Sequence, residues 1–280
     1  MTKTYKEYLE GEGLSPETIR VYTSVINNLQ KQMKKTNKKP LDLINTYLKK
    51  RTIKGRAYYT RYAIAHYLKH KGKETTIPKL PKPKITDTDK EPGTYIPRNK
   101  INKILSILRN YPDKKYYILA IIQAYCGTRP QETIKLKKAN IKQNPDKSLL
   151  IELIGKGGYK RATALYPPLS NAVWAYVENR GVYPFINQKI NDINDEHSMK
   201  VTKTIYHRYY TLVQEAAQTI NITGFKPHDF RRNFAEDLKN KDYPIHIIQQ
   251  ALGHKSLMTT TIYFRKDIST FSPALKELYK

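Results

Sequence analysis

The stretch KPHDFRRNFAEDLKNKDYPIHIIQQALGHKSLMTTTIY, residues 226–263, contains histidine, arginine and tyrosine at spacings that short helices can gather at one point. Pro227, with the alanine and leucine pattern after it, predicts a helix start next to His228. His228 and Arg231 are three residues apart, so they share one face of this helix. Their side chains can therefore converge on one anion.

A second helix is predicted for residues 244–252. It stops at Gly253, which suits the left-handed backbone position that ends many helices. His254 then lies at the turn, and Ser256 is expected to cap a third short helix that carries Tyr263.

These residue types suit an attack on a phosphodiester. Negative charge builds on the nonbridging oxygens, and an arginine fork with imidazole donors can hold it. A tyrosine hydroxyl can be the attacking group, but its phenol keeps its proton until about pH 10, so it needs a base or a cationic surround. Each residue alone has a simpler interpretation as a packed tyrosine, a helix cap or a surface pair. The ordered combination favours chemistry.

Three motifs in this chain resemble those of the tyrosine recombinases, the phage-integrase and Xer family. HDFRR at 228–232 and LGH at 252–254, with Tyr263 nine residues after that histidine, resemble the family's C-terminal signature. The segment YCGTRPQETIKLKKANI, residues 125–141, resembles its first arginine box. IGKGGYKRATALYP, residues 154–167, resembles its lysine hairpin.

The resemblance implies a site-specific DNA recombinase. The catalytic residues would be Arg129, Lys156, His228, Arg231, His254 and Tyr263. The tyrosine would attack the phosphodiester to give a 3′-phosphotyrosyl link and a free 5′ hydroxyl, which then attacks the same link on a partner strand. Both arginines and His254 would hold the nonbridging oxygens, while His228 would relay a proton or add a donor. We expect no cofactor and no metal, because the tyrosyl ester conserves the bond energy.

The lysine hairpin is also predicted from its own residues. Residues 148–154 and 161–166 are β-rich and flank a glycine turn, which is typical of a β-hairpin. By resemblance Lys156 is the general acid that protonates the 5′ oxygen, with Lys160 as the alternative. A solvated turn lysine without a catalytic role is the simpler interpretation.

The charge of the chain predicts a polyanionic partner. Lys and Arg number 51 against 24 Asp and Glu, a formal net charge of +27. A membrane-surface protein would need a basic amphipathic helix with an apolar face, and none stands out. By the resemblance, the partner is double-stranded DNA with specific recombination sites. The protein would act as a homotetramer on DNA, with a monomer in solution left open.

One cysteine, Cys126, excludes an intramolecular disulfide and is expected to be a small core residue. There is no apolar run long enough to cross a bilayer, and the start MTKTYKEYLE is not a secretion signal. We therefore expect a cytoplasmic protein associated with DNA.

The fold is expected to be mainly α with a small β-hairpin or sheet, in two domains. A helical unit is predicted for residues 1–77, and it resembles the family's SAM-like core-binding domain. A catalytic domain with a C-terminal tail helix is predicted for residues 97–280. The proline-rich residues 78–96 predict an extended linker. The tail helix could dock on a neighbouring protomer or on its own domain.

Basic and aromatic residues alternate between Thr52 and His70, which would suit a helix along a DNA groove. The DNA-binding candidates are Lys54, Arg56, Arg61 and Lys160, and the interleaved rings are Tyr58, Tyr59 and Tyr62. These tyrosines could equally be core residues.

Two rival functions share these features. A type IB topoisomerase-like enzyme would use the same chemistry and relax supercoiled DNA that lacks a specific site. A catalytically inactive DNA-binding relative would bind DNA without a covalent link. The complete set of candidate catalytic residues argues against the second.

Overall fold

The structure is a computed structural model that describes residues 4–35, 44, 54–79, 95–154, 160–186, 190, 193 and 195–253. Of Lys54, Arg56 and Tyr58 it describes the helical backbone alone. The predictions for Lys156, His254 and Tyr263, for the helix capped by Ser256 and for the tail helix lie outside the described residues. The chain divides into two compact units, Met1–Lys90 and Glu91–Lys280.

The first unit is helical. Its elements are α1 (Tyr5–Gly11), α2 (Pro16–Lys34), α3 (Lys54–His70) and a 3₁₀ helix (Glu74–Lys79). The side chain of Ser15 caps α2 by accepting a hydrogen bond from the backbone N–H of Thr18, and Pro16 takes the first helical position. The buried face of α2 carries Ile19, Tyr22, Ile26 and Leu29, which recur at the steps of three and four that place residues on one side of a helix.

Helix α3 packs against α1 and α2 through Ala63 and Ile64, which are fully buried. The hydroxyl of Tyr5 donates a hydrogen bond to the carbonyl of Ala63 over 2.8 Å. Tyr59 and Tyr62, by contrast, are 55% and 48% exposed. The interpretation of these two tyrosines as core residues is therefore wrong.

The second unit builds one large core from helices around a small sheet. Its elements are α4 (Arg98–Arg109), α5 (Lys115–Cys126), α6 (Pro130–Ile134), a 3₁₀ helix (Lys138–Asn140), β1 (Ile141–Gln143), β2 (Leu149–Ile154), β3 (Lys160–Leu165), α7 (Leu169–Val177), α8 (Glu196–Gln218), α9 (Pro227–Asn240) and α10 (Ile245–Leu252). Helix α5 is the most deeply buried of these because its apolar residues surround it almost completely. The prediction of a mainly α fold with a small sheet is confirmed.

The sheet has three antiparallel strands in the order β1-β2-β3. Strands β2 and β3 form the predicted hairpin, in register from Leu149 opposite Leu165 to Ile154 opposite Lys160. Strand β1 was not predicted, because three residues are too few to show an alternating pattern.

The polar character of residues 185–198 predicts a loop, and this prediction is wrong at its C-terminal end. Helix α8 already begins at Glu196, and the side chain of Asp195 caps it by accepting the N–H of Ser198 over 2.6 Å. Ser198 itself is fully buried. Gly181 predicts the end of the preceding helix, but α7 already ends at Val177.

Residues at the start of the second unit are held by α9. The hydroxyl of Tyr95 donates to Asp237 Oδ1 over 2.8 Å, and the backbone N–H of Ile96 donates to Asn233 Oδ1 over 2.9 Å. The end of the predicted linker is thus packed on a helix of the second unit. No described helix has both the length and the apolar character needed to span a bilayer.

Candidate active site

Arg231 lies on α9 and is only 2% exposed, so the interpretation of His228 and Arg231 as a surface pair is wrong for the arginine. Its Nη1 donates to the carbonyl oxygen of Gly127 over 2.5 Å, and its Nη2 donates to that of Leu252 over 2.7 Å. One guanidinium thereby joins the end of α5 to the end of α10.

The chain turns sharply at both of these ends. Gly127 ends α5 with φ +60°, and Gly253 ends α10 with φ +64°, which confirms the helix stop predicted at Gly253. A Cβ at Gly127 would overlap the ring of Phe234 on α9. Glycine at this position therefore allows α5 and α9 to approach each other closely.

Arg129 follows this turn and precedes the first residue of α6. Its backbone N–H donates to Glu132 Oε2 over 3.0 Å, and its Nη1 donates to Glu132 Oε1 over 2.6 Å. The Arg129 side chain remains 33% exposed, whereas that of Glu132 is 9% exposed. The carboxylate thus fixes a guanidinium that solvent, or a ligand, can still reach.

His228 is the second residue of α9, and its side chain reaches solvent although neighbouring atoms cover part of the ring. Burial of its ring lowers its pKa from the ordinary value, and the positive charges of Arg231, Arg232 and Arg129 lower it further, against the opposing charge of Asp229. These effects favour the neutral imidazole, which is the form that can accept a proton. The structure therefore places both predicted arginines close enough to His228 for their charges to act on it.

Arg161 is the residue that sequence analysis missed. Its side chain is 4% exposed on β3, and its Nη2 donates to Glu132 Oε2 over 2.8 Å. Burial alone would raise the pKa of Glu132, but the hydrogen bonds from Arg161 and Arg129 lower it to about 2. A signal was present, because Arg161 occupies an inward position of the strand, opposite Leu153, where an apolar residue is expected.

Cys126 lies close enough to Arg161 for its charge to act on the thiol, and it is fully buried, as predicted. Burial raises the pKa of its thiol to about 12, although Thr163 and the charge of Arg161 act in the other direction. The thiol donates weakly to the carbonyl of Ala164.

The remaining candidates are placed in part. Lys160 begins β3 with an exposed side chain, and Arg61 lies half-buried on α3 beside Tyr62. Lys156 and His254 fall outside the described residues, but the strands on either side of the hairpin turn and Gly253 are described. Among the described parts of the chain, no group of three histidine, cysteine or carboxylate side chains could hold a metal ion.

Three comparisons with known proteins bear on this site. The sequence model of the phage integrase family matches residues 94–269. Tyrosine recombinase XerA of Pyrococcus horikoshii is 28% identical over 263 residues, which cover 92% of this chain and 86% of that protein. XerA of Pyrococcus furiosus is 29% identical, with 93% and 87% covered.

Solved structures share the fold. XerH site-specific recombinase bound to a palindromic difH substrate has a TM-score of 0.68 at 18% identity, with 94% of this chain and 80% of that chain covered.

Proposed function

This chain belongs to the phage integrase family, and on that premise we propose that its second unit breaks and rejoins DNA through Arg129, Lys156, His228, Arg231, His254 and Tyr263. It is a site-specific DNA recombinase of the tyrosine type. The roles of the individual residues, the DNA contacts and the assembly are the substance of the proposal.

The observation that supports these roles best is the junction made by Arg231. One of its hydrogen bonds reaches Gly127, which is 104 positions away in the sequence and two residues before Arg129. Its other hydrogen bond reaches Leu252, two residues before His254. A buried arginine thus lies between the two segments that carry the other proposed phosphate ligands.

We propose one sequence of bond changes for these residues. Tyr263 Oη attacks the phosphorus, the new O–P bond forms, and the bond from phosphorus to the 5′ oxygen breaks. Neutral His228 accepts the tyrosine proton, and Lys156 gives a proton to the departing oxygen. Arg129 contacts a nonbridging oxygen through its exposed edge, where charge grows in the transition state. Attack by a 5′ hydroxyl on the phosphotyrosine then reverses each bond change.

We further propose that residues 1–77 form the DNA-gripping domain, joined by residues 78–96 to a catalytic domain at 97–280. Lys54, Arg56 and Arg61 would contact phosphates there, with Lys160 contacting DNA from the hairpin. The exposed rings of Tyr59 and Tyr62 and the net charge of +27 support this surface. The protein would assemble as a homotetramer on DNA in the cytoplasm.

Covalent trapping tests the proposal. A pool of nicked duplexes with randomised cores is incubated with the protein, and the duplexes that become linked to it are sequenced and the linked peptide is mapped. We expect selected sequences and a link at Tyr263, which Tyr263→Phe abolishes while DNA binding remains. A link at another residue, or relaxation of supercoiled DNA without any sequence selection, would contradict the proposal.

A further inference from the structure

The guanidinium of Arg161 is buried in the second unit and only part of it is paired. Nη2 donates to Glu132 Oε2. Nε and Nη1 are also inaccessible to solvent, and they have no hydrogen-bond partner among the described residues. Since a buried guanidinium group is costly to desolvate, its unpaired side has to be explained by what lies next to it.

That neighbour is the turn at the end of α10. A Cβ added to Gly253 would lie 2.8 Å from Arg161 Cδ, 3.0 Å from Nη1 and 3.3 Å from Nε. The unpaired edge of the guanidinium therefore packs directly on the backbone of Gly253. His254 is the next residue in the chain.

These contacts form a continuous network that connects the segments of the candidate site. Arg129 and Arg161 both donate hydrogen bonds to Glu132, and Arg161 also packs on Gly253. Next to Gly253, the carbonyl oxygen of Leu252 accepts a hydrogen bond from Arg231. Arg231 also donates to the carbonyl oxygen of Gly127, which lies two residues before Arg129. The hairpin strand β3 thus enters the same network as the two arginine segments.

A structural role alone explains less of this arrangement. Buried ion pairs contribute little net stability, and an apolar pair of similar volume often serves as well. A lysine could also neutralise Glu132. A fork that contacts the carboxylate on one side and a glycine backbone on the other is instead suited to fix two groups relative to each other.

We propose that Arg161 is a positioning residue of the recombination site: it fixes Arg129 through Glu132 and fixes the Gly253 turn from which His254 follows. The inference rests on the recombinase function and on the role proposed for Arg129. Without Arg161, Glu132 would keep Arg129 as its partner but lose the second guanidinium that sets its orientation. A misplacement of about 1 Å at a phosphate ligand can slow the chemical step about 10²-fold.

The test compares Arg161→Gln, Arg161→Lys and a control, Lys115→Gln. Lys115 is equally buried and is paired with Asp113 over 3.3 Å, but it begins α5, at the opposite end of that helix from Gly127. The substrate is a nicked duplex taken from the covalent-trapping selection with wild-type protein. The measurements are the single-turnover rate of covalent adduct formation, the DNA dissociation constant and the thermal midpoint.

We expect Arg161→Gln to form the adduct about 10²-fold more slowly with an unchanged dissociation constant. Lys115→Gln should lower the thermal midpoint and keep the wild-type rate. Arg161→Lys should lose less than Arg161→Gln. If Arg161→Gln does not fold, the adduct rate of Arg161→Lys is compared with those of wild type and Lys115→Gln instead.

A double variant with Glu132→Gln separates positioning from independent action. If Arg161 acts on Arg129 through Glu132, the loss of rate in the double variant should be smaller than the two single losses combined, with the remainder reflecting the contact of Arg161 with the Gly253 turn. Additive losses, a wild-type rate in Arg161→Gln, or a loss explained by weaker DNA binding would overturn the inference. Failure of wild-type protein to trap any duplex would instead overturn the proposed function.

Discussion

The Nη1 atom of Arg231 donates a hydrogen bond over 2.5 Å to the carbonyl oxygen of Gly127, at the turn that leads into Arg129. Helix α9 is therefore tied to the first arginine segment by a side chain that is itself a proposed phosphate ligand. Arg129, by contrast, has an exposed edge and is held by Glu132. The two arginines should therefore respond differently to substitution.

Arg129→Gln should slow adduct formation about 10²- to 10³-fold with little loss of stability, because Glu132 keeps its bond to Arg161. Arg231→Gln should lose adduct formation and also about 3 kcal/mol of unfolding free energy, because two buried carbonyls lose their donor. Urea denaturation and the adduct rate measure both effects. Equal destabilisation by the two variants would contradict this division.

Gly253→Ala should destabilise the protein and slow adduct formation. The new Cβ would meet Arg161, in addition to the strain of a left-handed backbone at φ +64°. Gly224→Ala is the matched control, because it has φ +72° with nothing within 4 Å and should cost about 1 kcal/mol. An equal stability loss at the two glycines would argue against the close packing of Arg161.

Glu132 should make stability sensitive to acid. Its folded pKa of about 2 lies below the ordinary value of 4.5, so its contribution is complete above pH 4.5 and is lost as the pH falls toward 2. Glu132→Gln should be less stable at neutral pH and show a flatter decline in this window. Unfolding free energies between pH 2 and 7 measure it, with the surface variant Glu152→Gln expected to follow wild type.

The rate of adduct formation should fall on the acid side of its pH profile, and this acid limb should lie below pH 6.5, because the pKa of His228 is lowered from that value. Arg232→Gln removes one of the nearby positive charges and frees Asp229, to which Arg232 donates over 2.6 Å. Both changes raise the pKa of His228, so the acid limb should move to higher pH. Lys200→Gln, an exposed cation on α8, is the control. An unmoved limb would exclude His228 as the proton acceptor.

Arg61→Gln should weaken DNA binding about equally for all sequences, because a phosphate contact carries no base information. The slope of log K against log salt should fall by about 1. Arg20→Gln removes a charge that is already paired with Glu17 over 2.5 Å and should change this slope less. Fluorescence anisotropy across a salt series provides the measurement.

Local sequence signals predicted the helices that carry the site. Pro227 marked the start of α9, and Gly253 marked the end of α10, because a first-turn proline and a left-handed turn depend on residue type. The hairpin was predicted because two β-rich segments flank a glycine turn. The start of α8 was missed although Asp195 is a suitable cap, since the polar residues around it also suit a loop.

The connections between segments could not be predicted in this way. Glu132 lies in the same motif as Arg129, but its hydrogen bond to Arg161 joins residues 29 positions apart and depends on the tertiary placement of β3. The burial of Arg231 is likewise a tertiary property. Spacing along a helix shows which residues share a face, but it does not show what covers that face.

The burial of Cys126 has a practical consequence. A thiol reacts with maleimide dyes as the thiolate, and this one is both sealed from solvent and held protonated by a pKa of about 12. Because the sequence contains one cysteine, a second one introduced on the surface would be the reactive thiol of the folded protein. Fluorophores for single-molecule distance measurements could thus be attached without first replacing a native residue.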